Sequence, residues 1–362
     1  DAKHKDYPNP FRPMPKVVVD LNLPPQDRFQ GAVDAVLGIR GYTNSFKSLF
    51  QYYNQTLLAL LPSNTLEICD AALQTHFPEN YKELQGIAKG FQKYNVSITA
   101  KYLSLYVYFH ELSHGLNITQ KSCTGILVKD SKSKVFHARN FDHSPAEPNR
   151  NSTLHFQFIG RSKKVEFEGV AAGMYWISGG FMTGIKKNVI SVEENWRTEF
   201  APIHQIIGYI RSGVVPQTFL FRQLFQNPRV TNFATALRSL ASTAVAVPMY
   251  VTAAGPSRNQ AAVLTYGAMM RKVLKLEKFD RSWSLVQTNY DRWQPDPLDD
   301  PRRTAAELLI ERMGQSLIAS SSGVLLPLTI TPVSNEDTVY TTLANVSNGT
   351  LTAFIRSSPY VE

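Results

Sequence analysis

Cysteine is scarce in this chain. Only Cys69 and Cys123 occur in 362 residues, so at most one disulfide is possible. Long apolar runs are missing too. None approaches the roughly 18 residues that a membrane-spanning helix needs, and no helical span is expected. No internal repeat or low-complexity segment stands out. Acidic residues are outnumbered, 29 Asp and Glu against 38 Lys and Arg, giving a formal net charge of +9. The basic residues are spread along the chain and no recognition motif accompanies them, which argues against specific DNA or RNA binding. The excess suits attraction to an anionic membrane surface, more so once carboxylates and histidines protonate in acid. Methionine is absent from the first position. The chain opens at Asp1, which fits removal of an export signal. With 43% hydrophobic residues it can bury a large core in one or two domains.

The most informative segment present is CTGILVKDSKSKVFHARNFD, residues 123–142. Gly125 to Val128 reads as a short apolar strand with Lys129 at its polar end. Asp130 to Lys134 reads as a turn and Val135 to Phe141 as the returning strand. With the turn centred near Lys132, Cys123 falls opposite Phe141 and diagonal to Arg139 on one face. Diagonal neighbours across such a pair are about 7–8 Å apart, within reach of a guanidinium. A slip of one residue would send Arg139 to the other face. Nucleophilic catalysis by cysteine needs a nearby cation to hold the thiolate and a group to manage protons. Arg139 and Asp142 supply both types. A plain structural hairpin with a surface arginine is the alternative.

A second segment, Gln287-Thr-Asn-Tyr-Asp-Arg-Trp293, is followed by Asp299-Asp-Pro-Arg-Arg303. Taken with the CTGI and HARNFD runs, in this order and spacing, it resembles the acid ceramidase and N-acylethanolamine acid amidase family of N-terminal-nucleophile hydrolases. Weaker likeness runs through Gly179–Gly184, Ile190–Arg197 and Val339–Thr342, and the resemblance spans about residues 16–357. It implies an α+β fold, an αββα sandwich with the nucleophile starting a central strand. It also implies a precursor cleaved between Ser122 and Cys123 into a mostly helical fragment, 1–122, and a catalytic fragment, 123–362, that stay associated. The Cys123 thiol would attack the Ser122 carbonyl, and water would resolve the resulting thioester. The freed α-amine then sits on the nucleophile itself, so no histidine partner is required.

Roles follow by position. Cys123 is the nucleophile. Arg139 is expected to keep its sulfur anionic in acid, and Asp142 to orient the amine or relay its proton. Asn289 matches an oxyanion donor, and Arg302 matches an arginine near the active site. Glu194, in SVEENWR, matches an acidic residue that shapes the site, with Glu193 as rival. No cofactor is implied. The implied reaction is hydrolysis of an N-acylethanolamine or related N-acyl lipid, with ceramide hydrolysis as the runner-up. Met174, Tyr175, Trp176, Phe181 and Met182 are candidates to line an acyl channel. Acid ceramidases join their fragments by a disulfide, but Leu309 stands near one partner here. That absence leans toward the acid amidases. Because pairing Cys69 with Cys123 would disable the nucleophile, Cys69 is expected to be a free, buried thiol. A Cys69–Cys123 disulfide is the alternative.

Two readings come from other classes. His110-Glu-Leu-Ser-His114 fits the H-E-x-x-H pattern of zinc proteases. The longer motif fails at Asn117, which stands where a glycine would be, so the histidines are read as incidental and no metal is assigned. A lipid-binding protein without catalysis is the other. Sequons at Asn54, Asn95, Asn117, Asn151, Asn345 and Asn348 favour the secretory pathway, and the resemblance adds the lysosome or a similar acidic organelle. Ser45–Leu61 and Pro202–Phe225 carry apolar residues at helical spacing, suited either to a lipid surface or to core packing. Elsewhere the pattern predicts helices up to Leu116, strands over Cys123–Glu194, helices over Pro202–Ala241, strands over Val247–Thr265 and Lys272–Gln287, a helix over Thr304–Gln315, and a closing strand pair near Val339–Arg356.

Overall fold

The computed structural model describes residues 11–116, 118, 123–267, 271–275 and 283–357. Two sheets carry the fold. The strands are β1 (Phe11–Pro13), β2 (Lys16–Asp20), β3 (Thr124–Lys129), β4 (Val135–Asp142), β5 (Leu154–Ile159), β6 (Val165–Ala171) and β7 (Thr183–Lys186). After them come β8 (Ile190–Trp196), β9 (Met249–Ala254), β10 (Ala261–Tyr266), β11 (Arg271–Lys275), β12 (Ser284–Gln287), β13 (Thr338–Asn345) and β14 (Thr350–Arg356). One sheet has six strands in the order β1-β14-β13-β4-β3-β12, and the other has eight, β11-β10-β9-β8-β7-β6-β5-β2.

Period-2 alternation places the sheets face to face. Ile126 and Val128 of β3, with Phe136 and Ala138 of β4, join Ala306 and Ile310 of the helix Arg302–Ile318 in one apolar cluster. Leu127 and Phe141 point the other way, into the larger cluster. The eight-stranded sheet is covered in turn by the helices Gln217–Gln226 and Phe233–Ser242. The order of layers is helix, sheet, sheet, helix, the α+β sandwich expected.

Residues before Cys123 form a series of helices between Gln30 and Gly115, and they also supply strands to both sheets. Phe11 pairs with Arg356 of β14, and β2 runs parallel to β5 with Val17 opposite Phe156. The larger cluster draws on both sides of Cys123, from Phe46 and Phe91 to Phe219 and Val251. A buried ion pair spans the same divide. Arg222 donates from Nη2 to Glu83 Oε1 at 2.6 Å, with Glu83 inside the helix Pro78–Gln92.

The two amphipathic segments resolve toward packing. Phe46, Leu49 and Tyr53 of the helix Thr43–Thr56 are buried, as are Phe219, Leu220, Phe221, Leu224 and Phe225. Arg222, which interrupts the second apolar run, is buried on Glu83 rather than exposed to lipid headgroups. Among the described residues, no helix is long and apolar enough to cross a membrane. Cys69 and Cys123 are both free and buried.

Candidate active site

The β3–β4 hairpin sets Thr124 opposite Asn140 and Gly125 opposite Arg139, the register read from the turn at Lys132. Cys123, just ahead of β3, therefore comes level with Phe141, and its side chain shares the inter-sheet face with Arg139. Arg139 is fully buried and donates from Nη2 to Cys123 Sγ at 3.0 Å. Its Nη1 donates to Met182 O and Thr183 Oγ1, both at 2.7 Å, and Nη2 also donates to Glu194 O. Acceptors from two neighbouring segments of the second sheet thus fix the guanidinium plane. The hairpin is not a plain structural one.

Asp142 lies three residues beyond Arg139 and so projects from the opposite face of β4. Its carboxylate is 3.5 Å from Arg302 Nη1 and accepts from Asn335 Nδ2 at 3.2 Å. Burial raises its pKa above the usual carboxylate range, against Arg302, Thr338, Asn335 and the Cys123 backbone amide, which favour the charged form. Cys123 is thus addressed from two sides, its sulfur by Arg139 and its backbone nitrogen by Asp142. Its φ is +86°, in the left-handed region that side chains avoid. Such a conformation costs on the order of 1–3 kcal/mol.

Burial pushes the Cys123 thiol up to about 11, and Arg139, the next largest influence, only partly opposes this while Asp142 and Glu194 add to it. In the intact chain the sulfur is therefore a thiol, not a thiolate. A single guanidinium already shared among other acceptors does not outweigh loss of water around a sulfur that is 2% exposed.

Arg302 ties the remaining residues together. At the start of its helix, it donates from Nη1 to Cys123 O at 2.9 Å and from Nη2 to Asn289 Oδ1 at 2.7 Å. Asp300 holds it with accepted bonds of 2.6 and 2.7 Å. Asn289 donates from Nδ2 to Trp196 O at 3.0 Å, so its amide is oriented at both ends.

The rival glutamates take separate places because neighbours on a strand face opposite ways. Glu193 lies under the hairpin, accepts from Thr252 Oγ1 at 2.5 Å, and sits 3.8 Å from Arg139 Nε. A Cβ on Gly125 would come within 1.6 Å of Glu193 Oε1, so the glycine of CTG makes room for this carboxylate. Glu194 meets Arg139 through its carbonyl and turns its side chain to His110, with Nε2 3.2 Å from Oε1. Sequence reasoning missed the seat of Glu193. The signal available was a glycine inside a strand, a mark of close approach. Asp300, equally unanticipated, carries no such mark.

The HELSH histidines are absorbed by packing. The His114 ring stacks on Trp196 with centroids 3.5 Å apart and planes at 5°, and Nδ1 meets Glu199 O at 3.1 Å. Glu111 accepts from the backbone of Gln217 at 2.6 Å. Among the described residues, no group of three His, Cys, Asp or Glu is placed to hold a metal.

The acyl-channel candidates are all buried and divide into two sets. Tyr175 packs edge-on to Phe141 at 5.7 Å, Met174 Sδ accepts from Tyr53 at 3.1 Å, and Met182 gives its carbonyl to Arg139. Trp176 is instead fixed among Phe46, Phe91 and Phe156, and Phe181 among Phe158, Phe167 and Phe225. The second pair serves the aromatic core. Of the sequon asparagines, Asn54, Asn95 and Asn348 are exposed, and the first two border one surface cavity of about 390 Å³. Asn151 is half-buried, and Asn345 is buried with Oδ1 accepting from Ser347. Asn117 and Ser122 lie outside the described residues.

No family model matches the chain. Human acid ceramidase is 26% identical over 389 residues, covering 99% of this chain and 91% of that protein. The N-acylethanolamine-hydrolyzing acid amidase of Cavia porcellus is 26% identical over 282 residues, covering 76% and 73%. A solved structure of the Caenorhabditis elegans ortholog of that amidase superposes with a TM-score of 0.55 at 26% identity, covering 62% of this chain and 93% of that one. Over most of its length the chain is thus similar to acid ceramidase and N-acylethanolamine-hydrolyzing acid amidase, and its two-sheet sandwich matches that of the solved amidase structure.

Proposed function

We propose that this chain is a lipid amidase that first cuts its own Ser122–Cys123 bond and then hydrolyses N-acylethanolamines or related N-acyl lipids through a thioester on Cys123. The observation that carries the reading is the 3.0 Å contact between Arg139 Nη2 and Cys123 Sγ, with Asp142 beside the same residue's nitrogen.

In self-cleavage the sulfur adds to the Ser122 carbonyl carbon, the C–N bond breaks, and the departing nitrogen takes up a proton as the new α-amine. Water then hydrolyses the thioester, releasing the Ser122 carboxylate and the thiol. Arg302, on the Cys123 carbonyl, holds the residue still while its nitrogen changes from amide to amine. In turnover the sulfur attacks the lipid amide. The Asn289 amide faces the oxyanion, and the leaving amine takes a proton from the Cys123 ammonium, which Asp142 orients. The α-amine then serves as base for the water that frees the fatty acid.

Fragments 1–122 and 123–362 remain together through β1, β2 and the Glu83–Arg222 pair. The working site is an acidic compartment of the lysosomal type, reached by the secretory pathway, with Asn54, Asn95 and Asn348 the best-exposed glycan acceptors. The net positive charge favours peripheral contact with anionic membranes. Ceramide hydrolysis is the second reading, favoured by the coverage of acid ceramidase over nearly the whole chain.

The test is fatty-acid release from an N-acylethanolamine and from N-acylsphingosine at acid pH. Activity on either that is lost in Cys123→Ala and unaffected by chelators supports the amidase. A chelator-sensitive activity, or lipid binding with no hydrolysis, overturns it.

A further inference from the structure

We infer that Arg197 is a positioning residue for the oxyanion donor, acting on Asn289 through Asp291. The inference deepens the proposed amidase function and rests on the reading of Cys123 as nucleophile. Asn289 stands two residues past the end of β12, the last strand of the six-stranded sheet, on a segment that is neither helix nor strand. A donor in such a place is only as precise as what braces the segment. The brace comes from the other sheet. Asn195, near the end of β8, donates from Nδ2 to Gln287 O at 2.9 Å, and Thr198 donates its N–H to Asn289 O at 3.1 Å. Between them Arg197 closes a fork on Asp291, Nε to Oδ1 at 2.9 Å and Nη2 to Oδ2 at 3.0 Å.

Asp291 is anchored from a third direction. Tyr250 of β9, fully buried, donates its hydroxyl to Oδ1 at 2.6 Å. Burial alone would push the Asp291 carboxyl up, but Arg197 and Tyr250 outweigh it and hold the group below the usual carboxylate range. The other contacts of Arg197, from Nη1 to Glu199 and to Tyr266 O, do not involve the Asn289 segment. Arg303 adds one bond to the main chain, Nη1 to Asp291 O at 3.2 Å, which fixes no side chain. Of the Asn289 amide, Arg302 holds the oxygen and Trp196 O takes one hydrogen of Nδ2. The second hydrogen is the one an oxyanion would receive, and its direction follows from where residues 289–291 sit. A bidentate arginine–carboxylate pair two residues away sets that position with two parallel bonds in place of one.

The test measures kcat and KM per cleaved chain, on an N-acylethanolamine and on N-acylsphingosine, for the unaltered protein, Arg197→Gln, Asp291→Asn and the double variant. Each single variant should lower kcat about tenfold and leave KM within about twofold, because substrate still binds while its oxyanion meets a misplaced donor. The double variant should be no slower than the slower single, as expected of two residues acting as one unit. A residue that only stabilised the fold would lower the melting temperature without this pattern in kcat. Losses that multiply in the double variant, an effect confined to KM, or an unchanged kcat overturn the inference. If neither single variant folds, as judged by melting, Tyr250→Phe decides, since it removes one hydroxyl and no bulk. A kcat reduced about threefold with KM unchanged then supports the inference, and an unchanged kcat contradicts it. Unaltered protein that hydrolyses neither lipid overturns the amidase reading, and this inference with it.

Discussion

Arg139 donates to the sulfur of Cys123 at 3.0 Å from a guanidinium whose remaining Nη hydrogens go to Met182 O, Thr183 Oγ1 and Glu194 O. That geometry needs a planar fork, which lysine lacks. Arg139→Lys should therefore fold yet lower both self-cleavage and amide hydrolysis by about 10²-fold or more. The basis is the loss of an oriented charge near the reacting atom. Cleavage kinetics followed by electrophoresis check this. Cleavage at the original rate would mean that charge alone suffices.

Gly125 is fixed by its neighbour across the sheets. A methyl group there would lie 1.6 Å from Glu193 Oε1, and Glu193 is held by Thr252. Gly125→Ala should cost about 1–3 kcal/mol of stability by overpacking and slow cleavage by displacing Arg139. Denaturant melts of the variant in a Cys123→Ala background measure the first effect without interference from cleavage.

Arg302 joins the Cys123 carbonyl to Asn289. Replacing it by glutamine should release Asn289 and leave the buried Asp142 and the half-buried Asp300 without their cation. The expected loss is about 10²–10³ in kcat, the usual effect of an oxyanion donor out of place, with a smaller change in KM. Steady-state kinetics on cleaved enzyme separate the two.

Burial pushes His143 down to about 3. Below about pH 6.5 the unfolded chain binds a proton that folded His143 refuses, so its contribution to stability is present above that pH. It is lost, by about 1.4 kcal/mol per pH unit, as the pH falls toward 3. His143→Asn should reduce the decline in stability of Cys123→Ala between pH 6.5 and 4. An unchanged slope would show that His143 is not protected from protonation.

How much of this was legible in the sequence depends on distance along the chain. The hairpin register was readable because turn, alternation and site fall within twenty residues, and Arg139 came out on the right face. The order of helices and strands also held, since their periodicities are local. Long-range placement was not readable. Nothing in SVEENWR says that Glu193 enters the space left by Gly125 while Glu194 turns to His110, because the two assignments differ only by which face of β8 meets the hairpin. Composition could not tell a lipid-facing helix from a buried one either. Phe219 to Phe225 read the same in both cases until Arg222 is seen pairing with Glu83. The burial of the thiol was not readable for a related reason, since burial is a property of the whole fold and not of the nearest charge.

The most direct measurement is the intact mass and N-terminal sequence of the protein after incubation in acid. The account predicts two polypeptides that co-elute under native conditions and separate in denaturant, the larger beginning at Cys123 with a free α-amine. It also predicts that Cys123→Ala remains whole. A chain that hydrolyses lipid amides while uncut, or one cut elsewhere and active with residue 123 as alanine, would contradict it.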